Sequence, residues 1–324
     1  MSTYIMRKGN SRLQDLADGA LAGLFAGIKG NVYFVDPTNG NDGSDGQTPA
    51  GAKATLAAAY ALTTANQNDV VFFLGGPTGD SPTAAITWSN SYTHLIGISA
   101  NLPGMGQRCR VVNAAANDLA VLFTLSGNGC IVKNIQFFDG KDSAADGACV
   151  LVSGARNLFQ NVFVAGMGDA TASGPATRAG SYSLKVSGSE NTFVDCTIGL
   201  DTIARTAANS ELIVSAERNR FIHCEFRSNS TTAGKFLVKI DNSGGDLRDT
   251  QFDDCLFYNY TTNWATGITD AFDMPSGGST HDVILRGNCQ IVGVGTGWAD
   301  TVTRLMGAGA VPDAGYGISI APTT

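Results

Sequence analysis

The residues best placed to do chemistry fall in one column of a repeated pattern. Asn134, Asn161, Asp195, His223, Asp254 and Asn288 each stand just before a cysteine or the residue in its place. If the repeats stack as parallel strands, His223 lies between Asp195 and Asp254, about 5 Å from each at the usual inter-strand spacing. An imidazole so placed can carry a proton, and paired acids at that separation suit a retaining glycosidase. The same residue types also serve turns, where Asn and Asp side chains bond nearby backbone groups. A polar ladder at a turn is the preferred reading, so no catalytic, cofactor-binding or metal-ligating residue is assigned.

A second acidic group lies in "NVYFVDPTNGNDGSDGQTP", residues 31–49, where Asp36, Asp42 and Asp45 offer hard oxygen ligands. The spacing fails as an EF-hand. Counted from Asn41, the third position is Gly43 and the twelfth is Ala52; counted from Asp36, the third is Thr38, the fifth Gly40. The bidentate acid is missing in both registers. A series of Asx and glycine turns is preferred to a looser calcium site. His94, His223 and His281 are far apart and do not suggest a metal centre. The glycine clusters at 293–298 and 306–315 lack a P-loop lysine and read as turns. Tyr258, Tyr260, Trp264 and Trp298 could stack on sugars, but packing is the commoner fate of such rings.

The elements that position these residues are short. The chain has 324 residues, 43% hydrophobic but only 15% charged, with 40 glycines. Short apolar runs among many turn residues indicate an all-β protein. A net charge of −7 argues against gripping nucleic-acid phosphates and against docking on anionic membranes. The N-terminal apolar stretch is too short to span a bilayer and is interrupted by Asp15 and Asp18, so no export signal is expected. Seven cysteines without a CxxC pair read as free, buried thiols.

Residues 1–30 read as an amphipathic helical arm. Ser11 and Gln14 form a capping box, Leu13, Leu16, Ala20, Leu21, Leu24, Phe25 and Ile28 recur at helical spacing, and Gly30 ends it. Such a stripe must be buried, on its own domain or on a partner subunit. A second helix is expected over residues 52–65, with Leu56, Ala59, Tyr60 and Thr63 on one face. Strands are expected in "DVVFFLGG", "HLIGISA" and "CRVVNAA".

The chain then repeats itself. "VLVSGARNLFQNVFV" (150–164), "LKVSGSENTFVDCTI" (184–198) and "LIVSAERNRFIHCEF" (212–226) share one pattern, with weaker copies at 123–137, 250–257 and 283–292. The key apolar positions, Val132, Phe159, Phe193, Phe221 and Phe252, are 27, 34, 28 and 31 residues apart. Steps this irregular fit a parallel β-helix, in which loops vary while stacked strands keep register. Two internal ladders follow: Val132, Phe159, Phe193, Phe221, Phe252, and beside it Ile135, Val162, Cys196, Cys224, Cys255. Roughly eight or nine coils are expected from a period near thirty.

The opening "YFVDPTNGNDGSDG", the "TPAGAKATLAAAYA" helix, the "NQNDVVFFLGG" strand and the N-x-F-x-x-C-x-F rungs together resemble the pectate-lyase-like superfamily of right-handed parallel β-helices, over about residues 31 to 295. The resemblance implies an all-β, single-stranded right-handed parallel β-helix with an N-terminal helical arm and cap. The organisation is an arm (1–30), the β-helix (31–295) and a C-terminal tail or cap (296–324). The superfamily's hydrolase set N-T-D, D-D, H-G, R-I-K is not met: "NTF" stands at 191–193, "DD" at 253–254, and H-G and R-I-K are missing. Its catalytic residues therefore do not carry over. The low charge, small-residue turns and arm resemble β-helical virion proteins of tailed bacteriophages. That resemblance implies a capsid decoration or cement protein, located in the virion and assembled in the host cytoplasm. Its expected partners are the major capsid protein or another virion protein and two further copies in a homotrimer, with a glycan as a possible ligand. The alternative is a tail spike or another carbohydrate-active enzyme acting on surface glycans.

Overall fold

The computed structural model describes residues 30–99, 109–113, 119–140, 148–170, 174–207, 209–230, 234–242, 247–260, 267–275, 282–295, 297–299, 305–307 and 318–319. The arm lies outside these except for Gly30, as do Trp264 and His281.

Among the described residues the chain winds through three sheets of eleven, seven and eight strands. In each sheet a strand pairs with its counterpart one coil away, and every pairing between named strands is parallel except that of the terminal Ile318–Ser319 with Leu305–Gly307. This is a single-stranded right-handed parallel β-helix. One repeat of the sequence supplies a third-sheet strand, a turn, a first-sheet strand, a two-residue bend and a second-sheet strand. In the copy at 184–198 these are Tyr182–Val186, Thr192–Val194 and the start of Thr197–Arg205.

The first predicted ladder is present in register: Val132 pairs with Phe159, Phe159 with Phe193, Phe193 with Phe221, and Phe221 with Phe252. It also continues through Leu95, Val71 and Tyr33 on one side and Leu285 on the other. The four phenylalanine rings stack at centroid separations of 4.6, 4.8 and 4.9 Å, with interplanar angles of 12° or less. That spacing is the strand spacing itself, so ring contact and backbone pairing demand the same repeat. The second ladder is also continuous, each member's carbonyl accepting from the following coil: Ile135 from Phe163, Val162 from Thr197, Cys196 from Glu225, Cys224 from Leu256. Cys109 precedes it and Cys289 follows it. Six of the seven cysteines are buried, Cys289 is half-buried, and all are free. Burial pushes the Cys109 thiol up to about 11 and Cys224 well above its ordinary value. These two thiols therefore act as neutral, small, weakly bonding core groups.

Two features of the turns lock adjacent coils. Glycines 127, 154 and 188 stack so closely that a Cβ on Gly154 would lie 1.9 Å from the Gly127 oxygen, and one on Gly188 1.9 Å from the Gly154 oxygen. Beside them Asn157, Asn191 and Asn219 form a buried amide ladder. Each side-chain oxygen accepts a backbone N–H from the preceding coil, of Cys130, Asn157 and Asn191 respectively, at 2.7–3.0 Å. Each side-chain amide donates to turn carbonyls, among them those of Gly127, Gly154 and Gly188. The buried backbone of the turn is thus paired by side chains where the sheets end.

The predicted helix over 52–65 is shorter, Leu56–Tyr60. Its start is delayed because Lys53 is drawn into a parallel bridge with Val35, exchanging backbone bonds with Phe34 and Asp36. Its end comes early because Thr64 is tied to the Asp69 carboxylate and Asn66 and Asn68 take left-handed backbone angles. Leu56 and Ala59 still bury against the first coil's core. Nine strands of the first sheet fall within residues 31–295, in line with eight or nine coils, and Val32–Val35, Asp69–Leu74 and Thr93–Ile98 are rungs of it that lack the repeat motif. At the other end Gly297–Ala299 and Leu305–Gly307 add parallel strands within the segment read as a tail or cap.

Replacing Phe221 by Ala removes a ring stacked on both sides and leaves a cavity between coils. An unfolding free-energy loss of about 3–5 kcal/mol is expected in urea denaturation. A second test concerns Asp80, which is buried and accepts the Leu56 N–H at the helix start, 2.8 Å away. Burial is the main cause of its pKa rising to about 6, the Leu56 bond opposing and Asp42 adding to the rise. Between pH 3.8 and 6 the native chain therefore holds a proton that the unfolded chain has lost, so this group's contribution to stability falls as pH rises through that range and is level above it. Relative to Asp80→Asn, which cannot ionise, the wild type should lose about 2 kcal/mol between pH 4 and pH 7, read from paired denaturation curves.

Candidate functional site

The polar column occupies the bend between the first and second sheets. Asn134, Asn161, Asp195, His223 and Asp254 all have positive φ, between 50° and 57°. Each donates its backbone N–H to the next coil, to Gln160, Val194, Ile222, Asp253 and Arg286 respectively. The left-handed bend turns the chain from one sheet into the next, and Asn and Asp tolerate it better than most residues do. This is the local reason for the residue types.

The sixth member differs from its sequence reading. Arg286 pairs with Asp253, and the next bend residue is Gly287, φ 61°, not Asn288. One extra residue is accommodated there, and Asn288 instead donates its backbone N–H to the Asp254 carboxylate at 2.6 Å. A Cβ at Gly287 would lie 2.2 Å from the same carboxylate oxygen, so glycine is needed for the approach.

His223 does stand between the two acids. Its Nδ1 is 3.5 Å from Asp195 and its Nε2 3.6 Å from Asp254. The imidazole is 58% exposed and each carboxylate 45%. Asp195 and Asp254 belong to coils on either side of the histidine, two strand spacings or about 10 Å apart. A retaining glycosidase needs its carboxyl groups about 5 Å apart. The expected acid spacing held for each acid to the histidine, not for the acids to each other. The column lacks a paired-acid geometry.

The acids of the opening loop are occupied with backbone. Asp36 accepts the N–H groups of Thr38 and Asn39, and Asp45 that of Gln47. Asp42 accepts from Ala54 and Thr55, both by backbone and by the Thr55 hydroxyl, while Lys53 Nζ donates to the Asp42 carbonyl. This makes the loop the brace that sets the start of the short helix. Among the described residues no cluster of three or more His, Cys, Asp or Glu could hold a metal ion. His94 is buried, lowered to about 4 by desolvation, and accepts the Ile131 N–H at Nδ1. Trp298 packs edge-on against Phe257, whereas Tyr260 is exposed.

Two features had no sequence forecast. Arg156, Glu190, Arg218, Glu217 and Arg248 form a chain of ion pairs up the outside of the turn, at 2.6 to 3.5 Å. Their exposure makes each pair worth little. The other is a fully buried pair, Arg205 and Glu211, 3.2 Å apart. Arg205 also donates to Ser228 and Asn209, and Ser183 donates to Glu211. Burial raises Glu211 to about 7 against the lowering effect of Arg205. The strand carrying Arg205 shifts register between Leu200 and Arg205, which brings the guanidinium inward. No pattern in a single sequence marks a one-off event of this kind.

No protein-family model matches the chain, and no curated protein is found similar to it. Solved structures do match. Pectate lyase Pel9A superimposes with a TM-score of 0.57 at 14% identity, covering 87% of this chain and 69% of that one. A deglycosylated pectin methylesterase from Aspergillus niger gives 0.52 at 14% identity, over 91% of each chain. The fold is that of the pectate-lyase-like parallel β-helices. ORF18 of Geobacillus virus E2 also matches, over 93% of this chain and 65% of that one at 14% identity, but its TM-score of 0.41 is too low to bear on function. At such identities the pectate-lyase-like likeness concerns architecture alone.

Because His223 sits in a left-handed bend on the surface, His223→Gly should keep or slightly raise the thermal midpoint, by the relief of about 1 kcal/mol of backbone strain. A clear loss of stability would mean that the two carboxylate contacts outweigh the bend.

Proposed function

We propose that the chain is a structural virion protein of a tailed bacteriophage, a capsid decoration or cement protein that binds the capsid surface through its N-terminal arm and acts as a homotrimer. The observation that carries this reading is the use made of the chain's best-placed polar groups. Asp195, His223 and Asp254 serve a bend repeated coil after coil, and Asp36, Asp42, Asp45 and Asp80 hold backbone N–H groups. Groups tied to the scaffold in this way support a rigid rod whose role lies in its outer surfaces. The stripe of Leu13, Leu16, Leu21, Leu24 and Ile28 supplies a segment able to dock on a neighbour.

A second reading is a tail spike or other carbohydrate-active enzyme acting on surface glycans. It is favoured by the exposed imidazole within 3.6 Å of Asp254 at an accessible bend. The two readings separate in one set of assays. A decoration protein co-sediments with assembled capsids, loses that binding when residues 1–30 are deleted, and releases no oligosaccharide from surface polysaccharide. Glycan cleavage abolished by Asp254→Asn or Asp195→Asn in a folded protein would establish the enzyme instead.

A further inference from the structure

The second ladder ends in a file of four cysteines from consecutive coils. The sulfurs of Cys196, Cys224, Cys255 and Cys289 lie 3.4–3.6 Å from the carbonyl oxygens of Phe159, Phe193, Phe221 and Phe252 respectively. Those phenylalanines pair residue for residue, so the sulfurs repeat at about the strand spacing of 4.8 Å. A disulfide needs Cα atoms about 4.4–6.8 Å apart. Adjacent members of the file meet that requirement without a change of backbone.

One end of the file is open to a reagent. Cys196, Cys224 and Cys255 are at most 2% exposed, whereas Cys289 is half-buried. Two residues separate Asp253 from Leu256, but three separate their partners Arg286 and Gln290. This longer bend carries Cys289 among exposed residues: Arg286, Gly287, Asn288 and Gln290. Among the described residues Gln290–Val292 is also the edge strand of the second sheet, which makes Cys289 the terminal sulfur.

The two last sulfurs are in hydrogen-bond contact. Bonds from Cys224 and then from Cys289 lower the Cys255 thiol below its ordinary value, and the contact with Cys255 raises that of Cys289. The first proton lost therefore belongs to the pair rather than to either thiol. A thiolate is the form that reacts with oxidants.

We propose that Cys289 and Cys255 form a modification site for hydroperoxides, closing a disulfide that staples the last two coils of the second sheet. Once the pair has released one proton, the other resides on Cys255 and Cys289 is the thiolate. Its sulfur attacks a peroxide oxygen and the O–O bond breaks. Cys289 becomes a sulfenic acid, and the departing alkoxide or hydroxide takes up the released proton. The Cys255 sulfur then attacks the Cys289 sulfur. The S–S bond forms, the S–O bond breaks, and the Cys255 proton leaves with the hydroxyl as water. Two thiols lose two electrons and one peroxide gains them. A particle leaving a reducing cytoplasm meets oxidant on release, which gives the bridge an occasion in the proposed assembly role. The chemistry itself does not rest on that role.

The test treats the full-length native protein, reduced and then freed of reductant, with hydrogen peroxide, and maps its cysteine peptides without reduction. A Cys255–Cys289 bridge is expected before any other. The bridged protein should melt at a higher temperature than the reduced one, since the bridge restricts the unfolded chain, and dithiothreitol should reverse both changes. Cys255→Ser should accumulate a dimedone-reactive sulfenic acid on Cys289, and Cys289→Ser should leave Cys255 reduced. The wild-type map decides the matter even where a variant fails to fold. Both thiols remaining reduced, a first bridge elsewhere in the file, or a bridged protein that melts lower than the reduced one would overturn the proposal. None of these results alters the capsid-binding assay.

Discussion

Everything in this molecule depends on like residues stacking on like at the spacing of parallel strands. The rings of Phe159, Phe193, Phe221 and Phe252 repeat at 4.6–4.9 Å because the backbone ladder beneath them does. A rung that slipped by one residue would turn its phenylalanine outward and break two ring contacts and the amide ladder together. Register is therefore set several times over inside the coil. Outside it, coil length is free, which is why the repeat steps vary from 27 to 34 residues without disturbing the core.

That constraint also explains what could be read in advance. The ladder from Val132 to Phe252 and its cysteine-bearing neighbour were legible because residue identity itself recurs. Leu95, Val71 and Tyr33 belong to the same ladder but carry no motif, so their rung positions were not legible. The repeated asparagine was visible, but its role in pairing turn backbone needed coordinates. The helix was overextended in the reading because what limits it comes from elsewhere in the chain: a bridge from Val35 and a cap from Asp80, 24 residues past Leu56. The Gly287 bend shows the same limit at one residue, since counting back from Cys289 selects Asn288.

The polar column illustrates how architecture and chemistry draw on the same residue types. Aspartate and asparagine suit a left-handed bend, and aspartate also suits catalysis. Sequence alone places His223 between two acids under either account. Coordinates separate the accounts by distance: the histidine touches both acids, but the acids flank it from opposite coils. By contrast, the buried Arg205–Glu211 pair follows no local motif and is visible only in the folded chain.

The central claim is that this β-helix is a part of a particle. The most direct measurement is quantitative mass spectrometry of gradient-purified phage particles from cells producing the chain. The account predicts that the chain co-purifies at a fixed ratio to the major capsid protein, in a copy number divisible by three. Its complete recovery in the soluble fraction, with none on particles, would contradict it.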